Sequence, residues 1–262
     1  MVSSLMMALA LLTAPDGDWV SVQPGVEYGR LPFVESPSHG DGVLHVVRIA
    51  PEEARLVVYA ASAEKTENKT AEDWLSQKGL SVVINAGMYE TDFTTHTGHL
   101  RIGKHKNNGA WVKDYHSLFV LKPDGQAQLI DRNTPPKHAE RYSAVAQNLR
   151  LIRAPGKIVW SEQPRRWSEA ALAMDDSGRI LFLFTRTPLA MHDFNSRLLA
   201  SDLGIVRAQH LEGGPEASLS IRAKDLVVNL SGSYETGFNE NNQSKTQWPL
   251  PNVIGVVAAP AD

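Results

Sequence analysis

The sequence predicts an α+β fold, built as a single domain on an extensive mixed β-sheet with a few helices. Its 262 residues are 42% hydrophobic, which is enough apolar material to fill one large core. Most apolar residues stand in short β-branched runs separated by turn residues, a pattern typical of strands. We find no internal repeat and no Pro- or Gly-rich linker, so we expect one domain over residues 19–262.

Residues 1–18 precede this domain and contain one apolar run, residues 5–12, followed by small and turn-forming residues. This pattern is typical of a secretory signal peptide, and an ordinary apolar N-terminal segment is the alternative. The run is too short to span a bilayer, and no later stretch is long and apolar enough for a transmembrane helix. We therefore expect an exported protein, periplasmic or extracellular, without stable membrane insertion.

The first half of the domain predicts strands around one helix. Three successive strands are indicated by the runs GVEYGRLPF, GVLHVVRIAP and ARLVVYAAS. The segment NKTAEDWLSQKG predicts a short helix with Thr70 as its N-cap and Gly79 as its C-cap. The apolar run LSVVINAGMY follows at once, and this helix-to-strand order predicts that part of the sheet is parallel or mixed.

The second half predicts two hairpins, a helix and further strands. The hairpins turn at residues 123–125 and 175–178, where Asp and Gly interrupt apolar runs. The segment MHDFNSRLLASDLG has a helical apolar stripe and ends at Gly204. The strand IVRAQHL then leads to Glu212, and DLVVNLSGSY and PNVIGVVAAP supply two more strands.

Composition excludes several classes of function. A net charge of -3 and a pI near 6.3 give no electrostatic reason to expect nucleic-acid binding. The absence of cysteine excludes disulfides, thiolate–zinc sites and cysteine nucleophiles. The nine histidines form no H-x-H or H-E-x-x-H arrangement, so no metal site is indicated. A divalent cation held by an acid beside a phosphate stays an open alternative.

Two loops leave apolar strands through a polar residue and glycine: INAGMYETDF, residues 84–93, and HLEGGPEAS, residues 210–218. Glycine lets the backbone approach a ligand closely or adopt a positive φ. Strand ends are also common places for site residues. The alternative is that these glycines only form turns.

Seven segments in this order resemble the phosphodiester glycosidase family, from about Val43 to about Val257. They are SVVINAGMY, GHLRIG, LFVLKPDG, QNLRLI, RRWSEAALAMDDSGRILFLF, MHDFNSRLLASDLG and HLEGGPEASL. The family includes the lysosomal enzyme that uncovers mannose 6-phosphate and bacterial exported proteins described as exopolysaccharide-related. It usually has Asp where this sequence has Glu212, and small residues in place of Pro215-Glu216-Ala217.

The resemblance implies a set of site residues. Glu212 is the leading catalytic candidate, as nucleophile, general base or oxocarbenium stabiliser. Asn85 and His192 are the other two catalytic candidates. Phosphate-holding roles fall first to Arg166 and then to Arg101, because a guanidinium matches two phosphate oxygens. The other implied substrate-binding residues are Gly87, Tyr89, Gly213, Gly214 and Ser218.

Three other acids stand in the same two loops: Glu90, Asp92 and Glu216. Acidic side chains are mostly exposed in folded proteins. We therefore expect these three to be solvated loop charges.

The resemblance implies a hydrolase that cleaves sugar-1-phosphodiester bonds of a glycan or glycoconjugate and releases a free sugar and a phosphomonoester. The expected partner is a phosphorylated glycan or a small molecule resembling a sugar nucleotide. One alternative is a catalytically weak protein that binds glycans in the same cleft and assists polysaccharide assembly. Another is a structural module, in which the two glycine loops would lie far apart.

Overall fold

The structure is a computed structural model that describes residues 19–132 and 138–260. Its strands, in chain order, are β1 (Val20–Gln23), β2 (Val26–Pro32), β3 (Val43–Ile49), β4 (Leu56–Ala60), β5 (Leu80–Asn85), β6 (Leu100–Ile102), β7 (His105–Asn108), β8 (Ser117–Leu121), β9 (Ala127–Asp131), β10 (Ala144–Asn148), β11 (Arg150–Arg153), β12 (Lys157–Ile158), β13 (Trp167–Asp175), β14 (Ile180–Leu189), β15 (Ile205–Gly213), β16 (Ser218–Ala223), β17 (Leu226–Ser231) and β18 (Asn252–Val257). The α-helices are α1 (Ala61–Glu64), α2 (Ala71–Lys78) and α3 (Met191–Ala200). The predicted signal segment, residues 1–18, lies outside the described residues.

The described strands form three sheets. The largest has the order β1-β2-β3-β14-β13-β15-β11-β12, and the others have the orders β7-β6-β10-β8-β9 and β17-β16-β5-β18-β4. The predicted α+β class is confirmed. The predicted parallel component is wrong for the strand that suggested it, because β5 lies between β16 and β18 and runs antiparallel to both. Both partners come from the end of the chain, so the order of α2 and β5 carries no information about strand direction.

Helix α2 begins and ends at the predicted caps. Thr70 Oγ1 accepts a hydrogen bond from the Asp73 amide at 3.1 Å. Gly79 has a φ of 62°, a left-handed conformation that glycine adopts without steric cost. Trp74 is fully buried, and its Nε1 donates a hydrogen bond to the Leu250 carbonyl at 3.0 Å. The helix therefore packs firmly against the sheet that contains β5.

The largest sheet is covered on both faces. Its first face shares the main core with the other two sheets, through residues such as Phe182, Ile84 and Phe119. Its second face forms another core with α3, which buries Phe194 and Leu198 there. Burial on both faces explains why β13 and β14 are almost continuously apolar. Among residues 19–132 and 138–260, no helix is long and apolar enough to cross a membrane.

Strand β15 carries Glu212 at its end, directly after a β-bulge. Ala171 pairs with His210 and Ala170 pairs with Glu212, so Leu211 is an extra residue on β15. Bulges bend a strand and re-aim its side chains, and they are frequent beside active sites. Leu211 joins the main core, whereas His210 and Glu212 line a cavity on the other side of the strand.

Candidate active site

The two glycine loops predicted from the sequence meet in the structure. Asn85 ends β5 and Ser218 begins β16, and the Ser218 amide donates a hydrogen bond to Asn85 Oδ1 at 3.2 Å. Both residues are buried. Asn85 Nδ2 is also buried and has no hydrogen-bond partner among residues 19–132 and 138–260, which is costly for an amide donor. The contact fixes the position of the second loop relative to the first.

Gly87 occupies a place that no larger residue could take. Its φ is 141°, and an added Cβ would lie 2.1 Å from Asn148 Oδ1 and 2.4 Å from His96 Nε2. Asn148 Nδ2 in turn donates a hydrogen bond to the Ala86 carbonyl at 3.0 Å. The glycine thus permits a close approach between the first loop and β10. Tyr89 follows in the same loop and pairs with His96 through a β-bridge.

Glu212 lies in surroundings that favour its neutral form. Burial raises its pKa to about 8; His210 and the Gly213 amide, which donates to Oε1 at 3.0 Å, oppose the rise, and Glu216 adds to it. The side chain is enclosed by protein atoms but keeps an intermediate surface exposure. It therefore remains accessible to a ligand.

Glu216 is not the solvated loop charge that the sequence predicted. Burial raises its pKa to about 7, with Glu235 adding to the rise. Its Oε2 is buried and has no hydrogen-bond partner within the described part of the chain. Pro215 starts a short 3-10 turn over residues 214–216, and this turn brings Glu216 close to Gly214 and Glu212. The Tyr89 hydroxyl, whose pKa is raised by burial and by Glu216 and Glu212, completes this cluster.

Glu90 and Asp92, the other two loop acids, are exposed, in agreement with the prediction.

A buried ion pair between Glu169 and His210 supports the cluster formed by Glu212, Glu216 and Tyr89. Glu169 Oε1 lies 2.7 Å from His210 Nδ1, and Glu169 Oε2 accepts a hydrogen bond from Trp167 Nε1 at 2.7 Å. Burial alone would lower the pKa of His210, but the Glu169 carboxylate outweighs it and raises the pKa. Burial also raises the pKa of Glu169, with His210 and the Trp167 indole opposing the rise, so the ionised pair depends on the 2.7 Å contact that joins the two side chains. The pair holds the His210 ring beside Glu212.

A cavity of about 260 Å³ at the end of β15 is lined by Glu212, His210 and Trp167. We call it the Glu212 cavity; its walls include Trp160, Arg165, Trp167, His210, Glu212 and Glu235. A larger cavity of about 670 Å³ lies beside β4 and β8, but none of the predicted site residues lines it. The Glu212 cavity is therefore the candidate active site.

The double glycine of the second loop is explained by close contacts in this cavity. A Cβ on Gly213 would lie 2.3 Å from Trp167 Cδ1. Gly214 has a φ of 63°, and a Cβ there would lie 2.8 Å from Glu235 Oε2. Glycine is thus required both for space and for backbone conformation.

An arginine at the mouth of the cavity is adjacent in sequence to the predicted one. Arg165 lines the Glu212 cavity, and its Nη2 lies 3.4 Å from Glu235 Oε1 with 58% of the side chain exposed. Arg166 is exposed and lies outside the lining, and its amide donates to Thr236 Oγ1 at 3.1 Å. The guanidinium that faces the site therefore belongs to Arg165.

Two other predicted residues also lie outside the Glu212 cavity. The Arg101 guanidinium donates hydrogen bonds to the carbonyls of Gly103, Ala139 and Tyr142, which ties β6 to a neighbouring turn. His192 lies in the first turn of α3 and is not part of the lining. The structure brings together Asn85, Gly87, Tyr89, Glu212, Gly213, Gly214 and Ser218, and it leaves Arg101, Arg166 and His192 apart from them.

Several neighbours of the candidate site were not predicted from the sequence. Glu169, Trp160, Trp167, Arg165 and Glu235 gave no motif of their own. The alternation of side chains along a strand was a usable signal, because residues two positions apart lie on the same face. His210 and Glu212 both line the cavity, and Glu169 accepts a hydrogen bond from the lining residue Trp167. Within residues 19–132 and 138–260, no group of three or more His, Asp or Glu side chains is arranged to hold a metal ion.

The sequence matches the model of a known family. The model of the phosphodiester glycosidase family matches residues 78–257, which is more than half of the chain and includes both glycine loops. A comparison with curated protein sequences finds no match.

Three solved structures share the fold. The catalytic domain of zebrafish N-acetylglucosamine-1-phosphodiester alpha-N-acetylglucosaminidase, auto-inhibited by its pro-peptide, gives a TM-score of 0.59 at 11% identity, over 92% of this chain and 85% of that one. A hypothetical protein from Synechocystis gives a TM-score of 0.59 at 14% identity, over 91% of this chain and 64% of that one. A protein from Burkholderia pseudomallei K96243, whose name presents it as a candidate exported protein, gives a TM-score of 0.51 at 9% identity, over 82% of this chain and 74% of that one. At these identities the likeness establishes the fold alone.

Proposed function

The chain belongs to the phosphodiester glycosidase family, and we propose that it hydrolyses sugar-1-phosphodiester bonds in the Glu212 cavity. One observation carries the proposal: a carboxyl group with a raised pKa and a guanidinium line one accessible cavity, and a second carboxyl group with a raised pKa lies close to the first. These groups belong to Glu212, Glu216 and Arg165. Carboxyl groups with shifted pKa values are typical of glycosidase sites, and arginine is typical of phosphate sites.

The charge of the cavity suits an anionic substrate in spite of its acids. Glu169 is paired with His210, and Glu235 is paired with Arg165. Glu212, with a pKa of about 8, is mostly neutral at pH 7. A phosphodiester therefore meets a neutral Glu212, and the pairing of Glu235 with Arg165 lowers the repulsion that the Glu235 carboxylate would otherwise exert.

The proposed reaction assigns one role to each group. Arg165 holds the phosphate, and Glu212 gives its proton to the bridging oxygen as the bond between that oxygen and the anomeric carbon breaks. Water adds to the anomeric carbon and loses a proton to Glu216. The products are the free sugar and a phosphomonoester, and proton exchange between the two acids and solvent restores the starting state. His210, held by Glu169, lies near enough to Glu212 to oppose the rise of its pKa, and the Gly213 amide holds the carboxyl group by a hydrogen bond.

The finer parts of the proposal concern the substrate and the location. The zebrafish relative is named as an N-acetylglucosamine-1-phosphodiester glycosidase, which supports an N-acetylhexosamine or a similar sugar here. We propose a glycan of envelope or polysaccharide origin and export through residues 5–12, supported by the apolar pattern there and by the name of the Burkholderia protein. Cell fractionation tests the location, and recovery only from the cytoplasm would contradict export.

Replacing Arg165 with alanine should raise KM for a sugar-1-phosphodiester about tenfold, with a smaller change in kcat. A charged hydrogen bond to phosphate contributes about 1.5–3 kcal/mol, and the exposure of this side chain places it at the low end. Arg166→Ala is the matched control, because that side chain lies outside the cavity. Steady-state kinetics of both variants measure the change in KM. An increase in KM confined to Arg166→Ala would show that Arg166, the residue predicted from the sequence, binds the phosphate.

The thermal stability of the protein should fall as pH rises through the raised pKa values. Glu212 and Glu216 have an ordinary pKa of 4.5, against about 8 and about 7 in the folded protein. The folded state therefore binds more protons than the unfolded state between these limits, and its extra stability is lost as the carboxyl groups ionise. In Glu212→Gln the decline in Tm should be shallower, because glutamine does not titrate. Parallel Tm curves for the wild type and the variant would show that the Glu212 pKa is not raised.

A further inference from the structure

A second cavity of about 340 Å³ adjoins the Glu212 cavity. The two share three lining residues, namely Leu149, Trp160 and Gln163. We call the second one the Arg150 cavity. Binding pockets for small molecules usually enclose about 300–1,000 Å³. The Glu212 cavity alone, at about 260 Å³, lies below this range, and the two cavities together lie within it.

Trp160 forms the boundary between the two cavities. Its ring meets His210 and Trp167 edge-on, with centroid distances of 6.1 Å and 6.3 Å. The ring is only half-buried, so part of its surface stays free to contact a ligand. An aromatic wall of this kind offers apolar contact to a ring that passes from one cavity to the other.

The Arg150 cavity is lined by polar groups of both signs. Arg150 has a side chain that is only 12% exposed, and its Nη1 lies 3.9 Å from Asp131 Oδ1. Its Nε is buried and has no hydrogen-bond partner among the residues that the structure describes. His116 also lines this cavity, with Nδ1 3.2 Å from the Arg132 carbonyl, and Asp114 adds an acidic side chain to the lining. Such a mixture of donors and acceptors beside an aromatic ring suits a polar, hydroxyl-bearing ring.

We propose that the Arg150 cavity binds the group on the far side of the phosphate, and that this group is a polar ring of monosaccharide or nucleoside size. The inference rests on the proposed function. A phosphodiester carries two substituents, and hydrolysis in the Glu212 cavity leaves the second one pointing along the only wall that the two cavities share among the described residues, at Leu149, Trp160 and Gln163. The enzyme thereby selects diesters with a bulky second group over small alkyl diesters.

The test compares three diesters of the same sugar 1-phosphate, carrying a methyl group, a second sugar or a nucleotide. Wild type should show a kcat/KM at least about tenfold higher for a ring-bearing diester than for the methyl diester, since a substituent that fills a pocket contributes about 10–200-fold. Whichever of the two ring-bearing diesters has the larger kcat/KM identifies the bound ring as a sugar or as a nucleoside. Equal values for all three diesters would overturn the inference.

A cavity-filling variant makes the test specific. Ser161 is exposed and lines the Arg150 cavity but not the Glu212 cavity, so Ser161→Trp should collapse the ratio between ring-bearing and methyl diesters toward one. Ser36→Trp is the matched control, since Ser36 is exposed and lines neither cavity; its ratio should match wild type. A ratio that survives in Ser161→Trp would place the second group elsewhere.

The inference can fail separately from the proposed function. If no diester is hydrolysed, the proposed function fails, and calorimetric binding of the intact diesters then decides the subsite. Tighter binding of a ring-bearing diester than of the methyl diester, lost in Ser161→Trp, would support the subsite without hydrolysis. Equal or absent binding would overturn it.

Discussion

Glu212→Gln should lower kcat for a sugar-1-phosphodiester by about 10²–10⁴-fold, the range typical of general acid–base catalysis. Glutamine has nearly the same shape and can still accept the hydrogen bond from the Gly213 amide, which lies 3.0 Å from Oε1. It cannot deliver a proton to the departing oxygen. The fold should stay intact, as circular dichroism and the thermal transition would show, so the loss would report chemistry alone.

The control for this variant is Glu90→Gln, which removes an exposed acid from the neighbouring loop. Its turnover should equal that of wild type. The pH profile adds a second readout: kcat/KM of wild type should fall as pH rises past about 8, because Glu212 then loses its proton. Normal turnover by Glu212→Gln would remove Glu212 from the mechanism, and a rate that increases above this pH would indicate a base or nucleophile.

Glu169→Ala should destabilise the folded protein by about 3–5 kcal/mol, since removing one partner of a buried ion pair leaves the other charge unpaired. His210 and the Trp167 indole both lose their acceptor, each at 2.7 Å in the wild type. Chemical denaturation measures the change in the free energy of unfolding. Activity should fall as well, because His210 is no longer held beside Glu212.

Glu53→Ala, at an exposed acid far along the chain, is the control and should change stability by no more than about 0.5 kcal/mol. The double variant Glu169→Ala/His210→Phe should recover part of the lost stability, because no charge is then left unpaired in the interior. A loss below about 1 kcal/mol in Glu169→Ala would show that the pair does not support the site.

Local sequence signals accounted for the parts of the fold that depend on neighbouring residues. Helix α2 begins after Thr70 and ends before Gly79, the two predicted capping residues. The predicted turns near residues 124 and 177 join β8 to β9 and β13 to β14. The pairing of β5 with β16 and β18 joins segments more than a hundred residues apart. No local pattern encodes such a pairing, and the predicted parallel component failed for that reason.

The same division holds for the site. The glycine loops were recognisable because Gly87 and Gly214 need positive φ values, which restricts the residue type. Which of Arg165 and Arg166 lines the Glu212 cavity depends on the backbone conformation just before β13. Composition does not show this conformation. Glu216 looked like a loop charge because its burial depends on a turn started by Pro215. Side-chain direction outside regular strands is set by tertiary contacts.

The most direct measurement is hydrolysis of a sugar-1-phosphodiester, such as the diester of N-acetylglucosamine 1-phosphate with a second sugar, by the purified protein in oxygen-18 water, with and without a metal chelator. We expect release of free sugar with the label at its anomeric oxygen, together with an unlabelled phosphomonoester, and loss of this reaction in Glu212→Gln. Comparing the two chelator arms decides whether a divalent cation takes part. Label in the phosphate instead of the sugar would identify a phosphodiesterase that cleaves at phosphorus. No sugar release from a panel of sugar-1-phosphodiesters would contradict the proposed activity and favour a glycan-binding role for the cavity.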